Sequence, residues 1–417
     1  MSRRTNLPVE PPAGWDSIPM RVLVRRRDEA GRPDLPLLSV YRDLGVVKRE
    51  GRDDNFNKPG MNLAAYRVVY PGDLVMNKMK TWQGSLGVSQ YHGIVSPAYF
   101  VCEVSDSVDK GFLHYLLRSR PYVAEYAARS KGIRPAQWDL PWDEFRTIYV
   151  VAPPRDRQQR IADFLDRETA RIEAVVRQRQ DMAGLVWERS LALVDQLTAN
   201  GQPARVKHLT TLITSGPRGW SEHVSDEGQP FIRSANLKDG SIRLDLTDLA
   251  YVKPPRGAEA TRSTARTGDV CVGITGANTG WIGLVEDPPG SGFVSQHIAL
   301  VRPSRCSAEW LAFSLASGKV QGQFGALQYG GTKQLLGLDD IAEIEISLPS
   351  PHEERSLVAK LLEAESRTSH LLHDIHRQVA LLRETKNALI TTAVAGEIDL
   401  SGEMDQLSEV LARITEA

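Results

Sequence analysis

The sequence predicts an α+β chain of two globular domains joined by two long antiparallel coiled-coil helices, with a pseudo-twofold internal repeat. Three observations lead there. The 417 residues exceed an ordinary domain of about 100 to 200 residues. Motifs recur at an offset of 196 residues, and a long-period repeat decides the architecture before any element is assigned. Within each copy, short β-branched runs separated by Gly, Pro, Asn and Asp give way to one long stretch with apolar residues every three, four or seven positions. That is strand-and-turn patterning followed by helix patterning.

The repeat rests on glycines as well as on helical residues. Gly72-Asp73-Leu74-Val75 aligns with Gly268-Asp269-Val270-Cys271, and Gly84-Ser85-Leu86-Gly87-Val88 aligns with Gly280-Trp281-Ile282-Gly283-Leu284. Further on, Pro153, Leu165, Arg171, Leu185, Glu188, Ala192 and Leu193 fall on identical residues at Pro349, Leu361, Arg367, Leu381, Glu384, Ala388 and Leu389. Small insertions shift the pairing locally, so that Leu113, Leu117 and Ser119 meet Leu311, Leu315 and Ser317, and Gly132 meets Gly331.

Taken in order, residues 1–152 form the first globule, with strand-like runs such as Tyr66–Tyr70 and a helical pattern near Gly111–Ala128. Pro153-Pro154 then opens the first long helix, in residues 153–201, because proline ends a strand and is tolerated at a helix start. Its seam is Ile161, Leu165, Ile172, Val175, Met182, Val186, Leu193 and Leu197, closed by Asn200-Gly201. Residues 202–348 form the second globule, with a strand at His297–Val301 and a helical pattern at Ala308–Phe324. Pro349-Ser350-Pro351 opens the second long helix, in residues 349–400, with the seam Leu357, Leu361, Leu371, Ile375, Val379, Leu382, Leu389 and Ala393 and a terminator at Gly396; residues 401–417 are a tail. Each helix should run about 35 to 40 residues, or roughly 50 to 60 Å. Side-by-side antiparallel packing, with a globule at either end, covers both seams most economically.

Composition excludes several classes. Apolar residues make up 41% and charged residues 25%, as in soluble folded chains. No apolar run approaches the roughly 18 residues of a membrane span. Three cysteines, Cys102, Cys271 and Cys306, are too few for a disulfide framework, so a reducing cytoplasm is the expected compartment. The net charge of −1 conceals a gradient: residues 1–150 carry 22 basic and 17 acidic side chains (+5), and residues 348–417 carry 7 and 12 (−5).

Catalytic motifs are wanting. Asp287-Pro288-Pro289-Gly290 has the prolines of a base-gripping methyltransferase loop but glycine where a stacking ring belongs, which makes it a turn. Gly290-Ser291-Gly292 lacks the third glycine of a dinucleotide fingerprint. The loop Gly273–Gly280 resembles a phosphate cradle, yet its counterpart Asn77–Gly84 keeps only the final glycine. A loop that varies between fixed ends suits recognition better than catalysis. Glu384-Thr385-Lys386 reads as a solvated helical face, and His370, His373 and His376, three apart, do not converge on one ion. No catalytic, cofactor or metal site is therefore expected on this chain. Nucleic-acid contact is the remaining reading. Its candidate residues are Lys78, Lys80 and Trp82 in one glycine-bounded loop and Arg129, Lys131 and Arg134 around Gly132; their second-copy counterparts are Asn278, Thr279, Thr332, Lys333 and Gln334. These side chains pair with base edges or hold phosphates. Arg25-Arg26-Arg27 is a further basic run that could face phosphate.

These residues resemble a family, the specificity subunit of type I restriction-modification systems, over nearly the whole chain. The resemblance is carried by the helix openings Pro153–Ala162 and Pro349–Val358, the closing segment Leu389–Leu400, and Gly72–Gly84, which is similar to a stretch frequent in the family's variable domains. The first helix departs from the pattern by ending in Thr198-Ala199-Asn200-Gly201, and Ser356 interrupts the opening turn of the second. The resemblance implies two target-recognition domains, each reading half of a bipartite double-stranded DNA sequence, and paired helices that fix the spacer. It implies a non-catalytic chain that recruits two modification subunits, which carry S-adenosylmethionine and methylate adenine, together with restriction and translocase subunits. A two-headed coiled-coil adaptor that binds proteins and not DNA is the alternative reading of the same residues.

Overall fold

The computed structural model describes residues 11–50, 62–132, 138–253, 257–327 and 335–398. The chain divides into two compact units, residues 1–180 with 376–417, and residues 181–375. Each unit holds one globule and part of both long helices.

The N-terminal unit is built on an antiparallel sheet in the spatial order Val24–Arg27, Tyr99–Val104, Leu74–Asn77, Leu86–Val88, and a two-stranded ladder joins Asp16–Pro19 to Tyr149–Ala152. The C-terminal unit repeats that order with Thr210–Ser215, Ile298–Pro303, Val270–Gly273 and Ile282–Leu284, and pairs Gln202–Arg205 with Glu345–Leu348. The periphery differs. Two small two-stranded sheets flank the first copy, whereas a five-stranded sheet, including Gln229–Ile232 parallel to Gly292–Val294, flanks the second.

The duplication extends to single hydrogen bonds. The Asp73 carboxylate accepts from the Tyr70 amide at 2.8 Å, and the Asp269 carboxylate accepts from the Arg266 amide at the same distance. The Lys78 amide donates to Ala98 O at 3.4 Å and the Leu140 amide to Lys78 O at 3.3 Å; Ile274 donates to His297 O at 3.0 Å and Leu336 to Ile274 O at 3.0 Å. Gly84 and Gly280 hold φ of 91° and 88°, a left-handed conformation costly for any residue with a Cβ. This is why the final glycine of the two loops is shared while the rest varies.

Each globule's helical pattern resolves into two helices, Lys110–Arg118 with Arg120–Arg129, and Ala308–Ala316 with Gly318–Leu327. The break falls at Ser119 and Ser317, whose hydroxyls turn back onto Leu116 O and Ser314 O at 2.7 Å. Asp109 and Ser307 cap the leading helices, accepting from the amides of Phe112 and Trp310. The capping residues' own amides donate to Gln158 Oε1 and Glu354 Oε1, both at 2.7 Å, from the first turns of the long helices. Globule and helix are thereby joined at the same point in both copies.

The long helices run Arg155–Thr198 and Pro351–Ala395, 44 and 45 residues, longer than the seams suggest. The excess lies largely in polar opening turns such as Arg155–Arg160, which hold no apolar residue for a periodicity count to register. At about 1.5 Å per residue each spans roughly 66 Å. The helices are antiparallel: in the N-terminal unit Glu173 pairs with Lys386 at 2.5 Å, and in the C-terminal unit Val194 lies beside Leu361. In the first unit Ile172 and Val176 share a core with Val379, Leu382 and Leu389; in the second, Val194 and Leu197 pack with Leu357 and Leu361.

Two expectations need correction. Met182 and Leu371, placed in the seams, are 37% and 48% exposed, and nothing in residues 177–197 or 362–374 is fully buried. Two helices alone bury only a narrow stripe, so flanking apolar positions stay open unless a third element covers them. Lys386, read as solvated, is instead largely buried in its ion pair with Glu173.

Candidate nucleic-acid interface

In the N-terminal unit the loop after Leu74–Asn77 is held between the Ser96–Ala98 turn and Leu140 by the two backbone bonds of Lys78. That convergence assembles a basic and aromatic face. Lys78 Nζ stands 4.5 Å from the centroid of the Phe100 ring, and the Arg26 guanidinium lies 5.1 Å from the same ring. Trp82 packs against Trp138 at 4.9 Å, with its indole N–H donating to Met79 O, while Trp142 packs on Phe100 at 5.5 Å. Lys80 is exposed, and its ammonium forms no ion pair among the described residues. Lys78 thus joins Arg26 and Trp142 around Phe100, while Trp82 pairs with Trp138 and Lys80 stands exposed on the same loop; Arg26, Phe100, Trp138 and Trp142 are residues that a search for basic loops does not collect.

Arg26 was legible in principle. Strand residues alternate faces, and in Val24–Arg27 the flanking arginines turn one way: Arg25 meets Glu103 at 2.8 Å, and Arg27 meets Asp73 at 3.5 Å and the Tyr70 ring at 4.8 Å. Arg26 points the other way, to Phe100, with Asp28 at 3.0 Å.

The remaining candidates are placed differently. The Arg129 guanidinium bonds Glu125 at 2.6 Å and Thr147 at 2.9 Å, and Lys131 meets Glu144 at 3.2 Å; both neutralise local carboxylates. Asn278 donates its side-chain amide to Ser234 O at 2.7 Å, and the buried Thr279 hydroxyl donates to Gly276 O at 2.7 Å. These two brace their own loop. Arg134, Thr332, Lys333 and Gln334 lie outside the described residues.

Burial pushes the thiols of Cys102 and Cys306 up to about 12 and that of Cys271 higher still, leaving each a poor nucleophile. Among the described residues no three His, Cys, Asp or Glu side chains come together to hold a metal, and no helix is long and apolar enough to cross a membrane. Exposed cations such as Lys80 can neutralise phosphate, and flat rings such as Trp82 can stack on sugar or base.

No family model matches the sequence, and no curated protein sequence matches it either. Solved structures do. A chain from work on complex assembly and conformational transition of the type I R-M system superposes with a TM-score of 0.69 at 18% identity, covering 94% of this chain and 100% of that one. The HsdS subunit from Thermoanaerobacter tengcongensis aligns over 94% of this chain and 99% of its own at 17% identity and a TM-score of 0.47. The type I restriction-modification S subunit from M. genitalium aligns over 94% and 98% at 12% identity and a TM-score of 0.39. By fold, the chain belongs with the solved chain of the type I R-M system.

Proposed function

We propose that this protein is the specificity subunit of a type I restriction-modification complex. Each unit reads one half of a bipartite double-stranded DNA target, and the paired helices set the spacer. The chain itself is non-catalytic. It recruits two modification subunits, which bring S-adenosylmethionine to methylate adenine, and restriction and translocase subunits for cleavage; the working compartment is the cytoplasm.

The observation that carries this reading is the pairing of one conserved frame with two different surfaces. Sheet order, helix caps and the backbone bonds around each recognition loop coincide between the copies. The side chains presented from that frame do not: Lys78, Lys80 and Trp82 in one, Ile274, Gly276 and Asn278 in the other. A catalytic duplication would keep its chemistry, whereas a reader of two unlike half-sites keeps its scaffold and changes its contacts. The fold shared with the type I R-M system chain supports the same conclusion.

The test is a genome-wide map of N6-methyladenine with and without the gene. Loss of one split motif on deletion is the expected result. An unchanged map, together with salt-insensitive DNA binding by the assembled complex, would favour the protein adaptor, because phosphate contacts release counterions and must weaken with salt.

A further inference from the structure

The turn Ser295–His297 occupies in the C-terminal unit the place that Ser96–Ala98 takes in the N-terminal unit. Ile298 closes it by donating to Ser295 O at 3.1 Å, as Tyr99 does to Ser96 O at 2.9 Å. Pro97 and Ala98 offer a ligand nothing to read, and the cations of that unit stand on the neighbouring loop. In the C-terminal unit the arrangement is reversed. The neighbouring loop carries no charge from Gly273 to Gly280, and the turn carries Gln296 and His297.

Those two side chains form a chain of contacts with Thr275. The Thr275 hydroxyl lies 2.5 Å from His297 Nδ1, and Gln296 Nε2 lies 3.1 Å from His297 Nε2. In the amide orientation the structure shows, Gln296 Nε2 donates to the ring Nε2 and the Thr275 hydroxyl accepts from Nδ1–H; the flipped amide would pair with the other tautomer and hold the same two contacts. Gln296 is exposed at the end of this relay. It retains two groups for a ligand, the Oε1 acceptor and the second amide hydrogen. That acceptor and donor, side by side on a planar group, match the N6–H donor and N7 acceptor that adenine presents in the major groove.

We infer that Gln296 is the base-reading side chain of the C-terminal unit and takes an adenine in the major groove, with His297 and Thr275 as positioning residues that fix the amide. The inference rests on the DNA-recognition reading above and goes beyond it by naming the reader, the base and the unit. The two copies then read by unlike means, the first with two lysines and one ring on its loop, the second with a braced amide on the adjacent turn.

The experiment is the methylation motif written by the full complex carrying Gln296→Ala, Gln296→Glu, Thr275→Val or Thr275→Ser. Gln296→Ala should relax a single A·T position in one half of the motif, by about five- to hundredfold in preference, and leave the other half unchanged. Gln296→Glu, which only accepts, should shift that same position toward the C·G pair. Thr275→Val should weaken preference at that position and Thr275→Ser should restore it, a site-specific effect that a merely structural threonine would not produce. An unchanged motif, a uniform loss at both halves, or relaxation at a G·C position would each overturn the inference while leaving the specificity-subunit reading intact. If the wild-type complex writes no gene-dependent split motif, the broader reading itself falls.

Discussion

At the scale of single residues, the N-terminal surface makes a quantitative prediction. Lys80 is exposed and unpaired among the described residues, whereas Arg129 is already engaged by Glu125 and Thr147. A lysine free to neutralise a phosphate contributes about one counterion to binding. Lys80→Ala should therefore lower DNA affinity of the assembled complex and flatten the plot of log K against log salt by about one unit. Arg129→Ala should leave that slope unchanged and act on stability instead. A second residue-level prediction concerns acid. Burial, then the neighbouring Arg118, depress the His114 imidazole to about 3; the ring accepts from the Val88 amide at 3.2 Å. The unfolded chain takes up a proton near 6.5 that the folded chain refuses. This contribution is present above pH 6.5 and is lost as pH falls below it, by up to about 1.4 kcal/mol per unit. Denaturation of the protein at pH 7, 6 and 5 should show this loss, and His114→Gln should reduce the slope between pH 6.5 and 5. A third site is Gly240, at φ 60°, where an added Cβ would stand 2.1 Å from the Trp187 ring. Gly240→Ala should destabilise the C-terminal unit by about 1 to 3 kcal/mol, read as a lowered denaturation midpoint.

At the scale of elements, the long helices were the most legible part of the sequence and also where periodicity misled. Leu165, Ile172, Leu361 and Leu382 are buried to 1% exposure or less, because they belong to clusters that combine residues of both long helices with a globule's core. Met182 and Leu371 have the same spacing and remain open; spacing records which face a side chain shares, not what covers that face. The opening turns were missed for the converse reason, being polar. The Gln158 and Glu354 contacts had no sequence signal, since one residue is an amide and the other a carboxylate and only their position in the helix agrees. Under the proposed function the helices are the spacer. Inserting four residues, about 6 Å or slightly more than one helical turn, at matched points of both helices should lengthen the gap in the methylated motif by about two base pairs and change neither half-site. An unchanged gap would remove the helices from the measurement of distance. The Glu173–Lys386 pair belongs to this scale too. Removing either charge strands the other in a partly buried position, so single variants should destabilise more than the double variant Glu173→Gln with Lys386→Met.

At the scale of the whole chain, the duplication was readable from Gly72, Gly84, Gly268 and Gly280, because a left-handed backbone admits little else and such positions hold their spacing. The candidate surface was only partly readable. Lys78, Lys80 and Trp82 are neighbours in sequence, but Phe100 with Trp142 reaches Lys78, and Trp138 reaches Trp82, only through the fold. Gln296 and His297 escaped because neither is a Lys or Arg and none stands beside them in the sequence. The hydrogen bonds that shape each of the two candidate loops run largely from backbone to backbone, in both copies. Side chains at Lys78, Met79, Lys80 and Gln296 are thus spared the task of holding the loops in place. Exchanging them freely, as in a randomised library, should cost within about 0.5 kcal/mol per site, so new binding preferences could be sampled from folded variants without first repairing the scaffold.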